Sequence, residues 1–395
     1  VKQSLRILGI LDIPWDARLG GARVWMDLAE QWTKAGHTFE RFSFTEAFPK
    51  PTTSGAIFAL RRLIFPSRAA RFVRNNASRF DVIDCLLGTL PFSKKRLGFD
   101  GLVVGRSIGL NRPYQNFIRF SKKRWPDQPH GKRMGGMFYD FVANRINRRA
   151  ERALVTSDLV NLLNEDEKPF VPHDRVIVEP NGLTEVERAA LHGASQSAAR
   201  RLAQKEICFV GMWGLRKGSR DWPEIIRHIR SKSPATRFRF LGTMVDQATV
   251  LADLGISDGV RVVETFDRKE LPELLGPCAV GLFPSYIEGF GLAVIEQLAG
   301  GIPVIAYDVP GPRQIFSSTA SKFLVPAGNA AAMAERAVEI LRMTESEYAS
   351  LSETSRQIAD RFRWEQIAAD TIEEYATALT RLRGAGQHET GVVSA

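Results

Sequence analysis

The chain has 395 residues, of which 44% are hydrophobic and 25% charged, with a formal net charge of +10. That length suits two domains, and the composition excludes a globally disordered chain. No apolar run approaches the roughly 20 residues needed to cross a bilayer, and no secretory leader or zinc-type Cys/His cluster is read, so no metal is expected.

Strand and helix signals alternate along the chain, the pattern of parallel sheets with helices on both faces. An apolar strand over 5–11 leads into the turn Gly20-Gly21, a helix over 22–35 closed by Gly36, and a strand over 38–44. Residues 56–77 read as a helix. Within it, Ile57, Phe58, Leu60, Leu63, Ile64 and Phe65 are mixed with arginines, which fits an amphipathic helix on a membrane surface or one packed on its own domain. Strands follow at 82–86 and 102–106, then a long polar segment with Pro113, Pro126 and Pro129, a helix from Met137 to Ala153, and strands at 159–163 and 176–178. Pro180-Asn181-Gly182 marks a turn, and 189–204 reads as a linker with a charged helical stretch. The second half alternates strands at 207–210, 237–241, 260–264, 279–283 and 303–306 with helices at 218–231, 246–254, 269–275 and 329–343. Residues 345–382 are helical in period, and 384–395 are expected to be disordered. Cys85, Cys208 and Cys278 stand apart in apolar strand-like surroundings, as core residues of a reduced, cytoplasmic protein do.

Chemistry concentrates in residues 283–304. Pro284 and Ser285 stop the strand, Gly289 and Gly291 permit a sharp turn and close ligand approach, and Leu292, Ile295, Leu298 and Ala299 have helical spacing. The first amides of that helix favour an anion, while Glu288 in the loop and Glu296 in the helix offer carboxylates to hydroxyls. A phosphorylated ligand with hydroxyls at both ends would suit this arrangement.

The run PSYIEGFGLAVIEQLAGGIPVIA resembles the E-x7-E signature of retaining nucleotide-sugar glycosyltransferases of family GT4. The resemblance implies an α/β protein of the GT-B fold: two facing Rossmann-like parallel-sheet domains with an interdomain cleft. It implies an N-terminal acceptor domain over 1–183, a linker over 184–204, a donor domain over 205–360, and a final helix over 364–382 packing back on the first domain. Glu288 would lie against the donor sugar and Glu296 would bind the ribose. The amides of Phe290, Gly291 and Leu292, with Gly289 in the same turn, would hold sugar and diphosphate.

Residues 209–218 are similar to the family's phosphate segment. Lys217 matches its lysine, Met212 stands where an arginine is usual, and Arg216 is the neighbouring substitute. A cation is needed there because the leaving nucleoside diphosphate develops charge. Gly20 and Gly21 resemble the glycine loop that faces donor phosphates or acceptor, and Phe266 occupies the region that meets the nucleobase. In the segment from Val103 to Leu110, Ile108 replaces a histidine that the family sets near the reacting sugar, and Asp84 is a candidate polar substitute.

The implied activity is metal-independent transfer of a hexose from a nucleoside-diphosphate sugar, which is a co-substrate and not a cofactor, to a glycan or lipid-linked glycan. Absence of any Asp-x-Asp pair agrees with charge neutralisation by side chains and amides. The basic first half suggests contact with an anionic membrane; no nucleic-acid motif accompanies it. A low-turnover nucleotide-sugar-binding partner of another glycosyltransferase is the alternative, given Met212 and Ile108. Gly105-Arg106-Ser107-Ile108-Gly109 also fits the G-x-S-x-G nucleophile elbow, which would make Ser107 a hydrolase nucleophile.

Overall fold

The structure, a computed structural model, describes residues 4–16, 19–127, 134–172, 175–317 and 320–391. The first sheet contains β1 (Arg6–Ile10), β2 (Thr38–Phe42), β3 (Val82–Leu86), β4 (Leu102–Arg106), β5 (Leu159–Leu162) and β6 (Val176–Val178). The second contains β7 (Glu206–Val210), β8 (Arg237–Leu241), β9 (Val260–Val263), β10 (Val280–Phe283), β11 (Val304–Tyr307) and β12 (Leu324–Val325). Their orders are β2-β1-β3-β4-β5-β6 and β12-β11-β10-β7-β8-β9, with every pairing parallel. Each sheet therefore reverses its winding once, between β1 and β3 and between β7 and β10.

Two compact units result. The first comprises Val1–Arg112, Arg124–Pro180 and Trp364–Ala395, and the second comprises Pro113–Lys123 and Asn181–Arg363. In the first, successive residues of β1 face opposite layers, as strand geometry requires. Ile7 joins Trp25, Trp32, Trp364 and Tyr375 on one side, while Leu8 and Ile10 join Phe65, Val73 and Phe99 on the other. The final helix, Trp364–Gly391, belongs to the first layer, and the Trp32 indole N–H donates to the Ala368 carbonyl at 3.1 Å.

Among the differences from the reading by residue pattern, three bear on the architecture. The polar segment holds a helix, Asn111–Arg124; Pro113 falls in its first turn, where a missing N–H breaks no intrahelical bond. The linker is two helices, Glu185–Gly193 and Ala198–Gln204, tied down by buried Arg201, which donates to the carbonyls of Gly276, Gly300 and Gly301. The C-terminal helix continues to Gly391 instead of ending before a disordered tail, because extending a docked helix avoids the cost of nucleation; residues 392–395 lie outside the described residues.

Asp84 is not a free polar group beside a site. It lies fully buried on β3 and accepts from the Arg106 guanidinium at 2.8 Å and from the Tyr375 hydroxyl at 2.6 Å. Glu179 faces the same guanidinium at 3.5 Å, and its Oε2 also accepts from Asn161 and from Thr371. Burial pushes the Glu179 carboxyl up while Arg106 opposes that rise. The cation thus links β3, β4, β6 and the returning C-terminal helix. Arg106→Met should lower the stability of this unit by about 3–5 kcal/mol, the cost of stranding buried charges, seen as an earlier urea midpoint; an unchanged midpoint would show that the carboxylates have another counter-charge.

Candidate active site

The carboxyl ends of β7 and β10 are neighbours at the second sheet's reversal point, the place where open parallel sheets take ligands. β7 runs into a turn and a single 3-10 turn, Leu215–Lys217; β10 runs through Pro284–Gly291 into the helix Leu292–Ala299. Two bonds join these loops. The Tyr286 N–H donates to the Arg216 carbonyl at 2.9 Å, and Lys217 Nζ donates to the Glu288 carboxylate. Gly218 makes the approach possible: its φ is +77°, and a Cβ there would fall 2.2 Å from the Pro284 carbonyl oxygen.

The Lys217 and Glu288 side chains are 13% and 16% exposed, so water screens their attraction weakly. Lys217 Nζ also lies 4.6 Å from the centroid of the Phe283 ring, on which a cation is favoured. Burial is the main influence lowering the Lys217 amine from its ordinary value; the Glu288 charge opposes it, and the Arg216 cation adds to it.

Gly291 caps the following helix with φ +108°, in the left-handed region that favours glycine. Its carbonyl accepts from Val294, so the amides of Leu292 and Ala293 stand at the helix opening without an intrahelical acceptor. Such amides carry the positive end of the helix dipole. The Glu288 carbonyl is fixed by the Gly311 N–H at 3.1 Å, and buried Phe290 packs on Phe362 at 5.3 Å. Glu296 is buried in the second turn of the helix.

Arg216, Lys217, Glu288, Gly289, Phe290, Gly291, Leu292 and Glu296 therefore all lie on the two joined loops or the helix they open. Phe266 follows β9, two strands away, and its ring comes 3.0 Å from where a Cβ on Gly242 would stand. Gly20 and Gly21 belong to the first unit, in the opening turn of the helix Gly20–Lys34. A Cβ on Gly21 would meet Ile13 and Ile108, each at 3.1 Å, so Ile108 sits against this glycine turn. Met212 is 56% exposed while the adjacent Trp213 is pinned, its indole N–H donating to Asp253 at 2.8 Å. Ser107 is buried and its hydroxyl accepts from the Gly109 N–H at 3.0 Å, so it is not the exposed nucleophile of a hydrolase elbow.

One cluster carried no sequence signal. Asp221 precedes the helix Trp222–Lys232 but does not cap it with its side chain. Its Oδ2 instead accepts from the Tyr286 hydroxyl at 2.7 Å and the Tyr307 hydroxyl at 2.6 Å, partners 65 and 86 positions away. Burial first, and then the Asp221 charge, hold the Tyr307 phenol far above its ordinary value, so it remains a donor. Tyr286, two residues before Glu288, is thereby held at both backbone and side chain.

These features form a polar, cation-bearing site at the reversal point of a parallel sheet, and known proteins resemble this part of the chain most clearly. Residues 194–358 match the family model Glycosyl transferases group 1. The chain is 36% identical over 132 residues to D-inositol 3-phosphate glycosyltransferase of Streptomyces bingchenggensis, covering 33% of this chain and 29% of that protein. It is 22% identical over 269 residues to GDP-mannose:cellobiosyl-diphosphopolyprenol alpha-mannosyltransferase of Xanthomonas campestris, covering 63% and 69%. Among solved structures, sucrose-phosphate synthase from Thermosynechococcus elongatus is similar in fold, with a TM-score of 0.74 and 17% identity over 95% of this chain and 100% of that one. The match of residues 194–358 to the group 1 model agrees with the resemblance to family GT4, and the fold of the chain is GT-B.

Asp221→Ala should remove the acceptor shared by Tyr286 and Tyr307, at about 1–3 kcal/mol for the buried Tyr307 hydroxyl. Hydrogen exchange in 284–292 is expected to quicken more than elsewhere in the unit. Uniform or unchanged exchange would mean that Asp221 does not hold the loop.

Proposed function

We propose that the protein transfers a hexose from a nucleoside-diphosphate sugar to an acceptor hydroxyl, with retention at the anomeric carbon and without a metal. The observation that carries this reading is the buried Lys217–Glu288 pair beside the open amides of the helix Leu292–Ala299. The bond between the anomeric carbon and phosphate breaks first, and its electron pair leaves with the nucleoside diphosphate. Lys217, Arg216 and the helix amides neutralise the charge on that leaving group. Glu288 orients the sugar hydroxyls and Glu296 the ribose, while Gly20 and Gly21 face phosphates or acceptor and Phe266 the base. The acceptor oxygen then bonds to the anomeric carbon from the face the diphosphate left, and its proton passes to the departing diphosphate oxygen. No protein nucleophile takes part. The donor class is supported by the Xanthomonas relative, whose name specifies GDP-mannose and a diphosphopolyprenol-linked acceptor.

A second reading is low-turnover nucleotide-sugar binding in support of another transferase. Met212 and Ile108 favour it, because both put apolar side chains where the resemblance expects polar ones. A thermal-shift screen over UDP, GDP, ADP and dTDP and their sugars finds the donor under either reading. Turnover separates them. Lys217→Ala and Glu288→Ala should each lower transfer or donor hydrolysis by about 10²–10³; wild-type rates in both would overturn the site, and binding without any donor consumption would favour the second reading.

We place the protein at the cytoplasmic side of an anionic membrane. Its docking element is the helix Gly55–Asn76, which has five arginines and no acid. Ile57, Leu60 and Ile64 are 47%, 52% and 41% exposed on one face, and Arg71 and Arg74 continue the exposed surface toward the helix end. Pro66 lacks an N–H, so the Arg62 carbonyl loses its helical donor; Arg149 supplies one at 3.2 Å and fixes this helix to Met134–Thr156. Among the described residues, no helix is long and apolar enough to cross a membrane. The full chain should float with phosphatidylglycerol vesicles, and binding should fade as salt shortens the Debye length from roughly 10 Å at 0.1 M. Lack of binding at every salt concentration would remove this reading.

A further inference from the structure

The helix Asn111–Arg124 has an unusual composition for its position. Its fourteen residues include Arg112, Arg119, Lys122, Lys123 and Arg124 and no acid. One side rests on the donor-site loop: the Phe117 and Phe120 rings lie 6.1 and 5.6 Å from the ring of Tyr286. Tyr286 is the residue held by Asp221 and by the Arg216 carbonyl, two positions before Glu288.

The adjoining side faces water. Tyr114 and Ile118 are 49% and 37% exposed. Residues four apart share a helix face, so Tyr114, Ile118 and Lys122 form one stripe about 12 Å long at 1.5 Å per residue. Arg119 and Lys123 flank it, one position round from Ile118 and Lys122. Both are exposed, as is Lys122, and among the described residues none of the three has an ion-pair partner. Arg112, at the other end, does have one: it faces Glu151 at 3.5 Å. The surface is apolar over its first half and cationic over its second.

We propose that this stripe is the acceptor-docking surface and that its ligand is an isoprenoid-type lipid phosphate, with the chain along Tyr114 and Ile118 and the phosphate among Arg119, Lys122 and Lys123. A free sugar would leave Tyr114 and Ile118 unexplained. A soluble anion would explain the cations alone. An amphiphile with a single anionic head uses both halves. The proposal deepens the acceptor part of the transferase reading and rests on it for its function, but its binding surface can be tested independently.

The test uses the full chain and isothermal titration with farnesyl phosphate below its micelle-forming concentration, farnesol, pyrophosphate, and phosphatidylglycerol vesicles. Farnesyl phosphate should bind about tenfold or more tightly than farnesol or pyrophosphate, since each alone satisfies half the surface. Tyr114→Ser with Ile118→Ser, and separately Arg119→Gln with Lys122→Gln and Lys123→Gln, should each weaken farnesyl phosphate by about tenfold. Nucleotide affinity, measured on the same samples, should not change. Farnesyl phosphate binding no better than pyrophosphate, or binding that survives both variants, would overturn the proposal. Loss of nucleotide binding in the wild type with farnesyl phosphate binding intact would strike the donor assignment and support this surface.

Discussion

Everything in the second unit depends on two strands being adjacent that are distant in the chain. Lys217 and Glu288 lie 71 positions apart, and they meet because β10 crosses to the far side of β7 and pairs with it in parallel. The crossover brings two loops to one sheet edge, and the loops then need a way to come close. Gly218 supplies it where the chain passes the Pro284 carbonyl, and Gly291 supplies the left-handed turn that opens the helix. Any side chain at Gly218 would force the lysine loop off the glutamate loop, so a backbone constraint sets the electrostatics.

The electrostatics in turn explain why the loops need outside support. A largely buried ammonium costs free energy unless an anion accompanies it. Glu288 is that anion here, and a diphosphate would be a stronger one. In the proposed reaction the diphosphate takes over Lys217 and releases Glu288 to the sugar hydroxyls. Such an exchange works only when the loop backbone stays put as the partners change. The Asp221 carboxylate, accepting from both Tyr286 and Tyr307, and the Tyr286–Arg216 backbone bond keep it there.

Legibility in the sequence followed the range of each interaction. The alternation of apolar strands and amphipathic helices is local, and β1 to β11 lie where residue pattern puts them, to within one or two residues. The strand–loop–helix carrying Glu288 and Glu296 was legible for the same reason. Long-range chemistry was not. Nothing near Asp221 marks it as the acceptor for two tyrosines, and Asp84 looked like a free polar group because its partners, Arg106 and Tyr375, are 22 and 291 positions away. The helix Asn111–Arg124 was hidden by Pro113, which reads as a breaker unless its place in the first turn is known. Ser107 matched a nucleophile motif that burial disqualifies.

Charge ties the two units' functions together. The helices Gly55–Asn76 and Asn111–Arg124 each hold five basic residues and no acid. Those ten match the whole excess of 54 Lys and Arg over 44 Asp and Glu. The rest of the chain is therefore neutral overall, and the buried Lys217 is matched by Glu288. Exposed Ile57, Leu60, Ile64, Tyr114 and Ile118 place apolar groups on the same helices as the surplus cations. A surplus aimed at a leaving diphosphate would sit at the carboxyl ends of β7 and β10. Under the proposed function, its place on two exposed helices with apolar stripes suits partners that are anionic and amphiphilic, which is the chemistry of a lipid phosphate and of an anionic membrane.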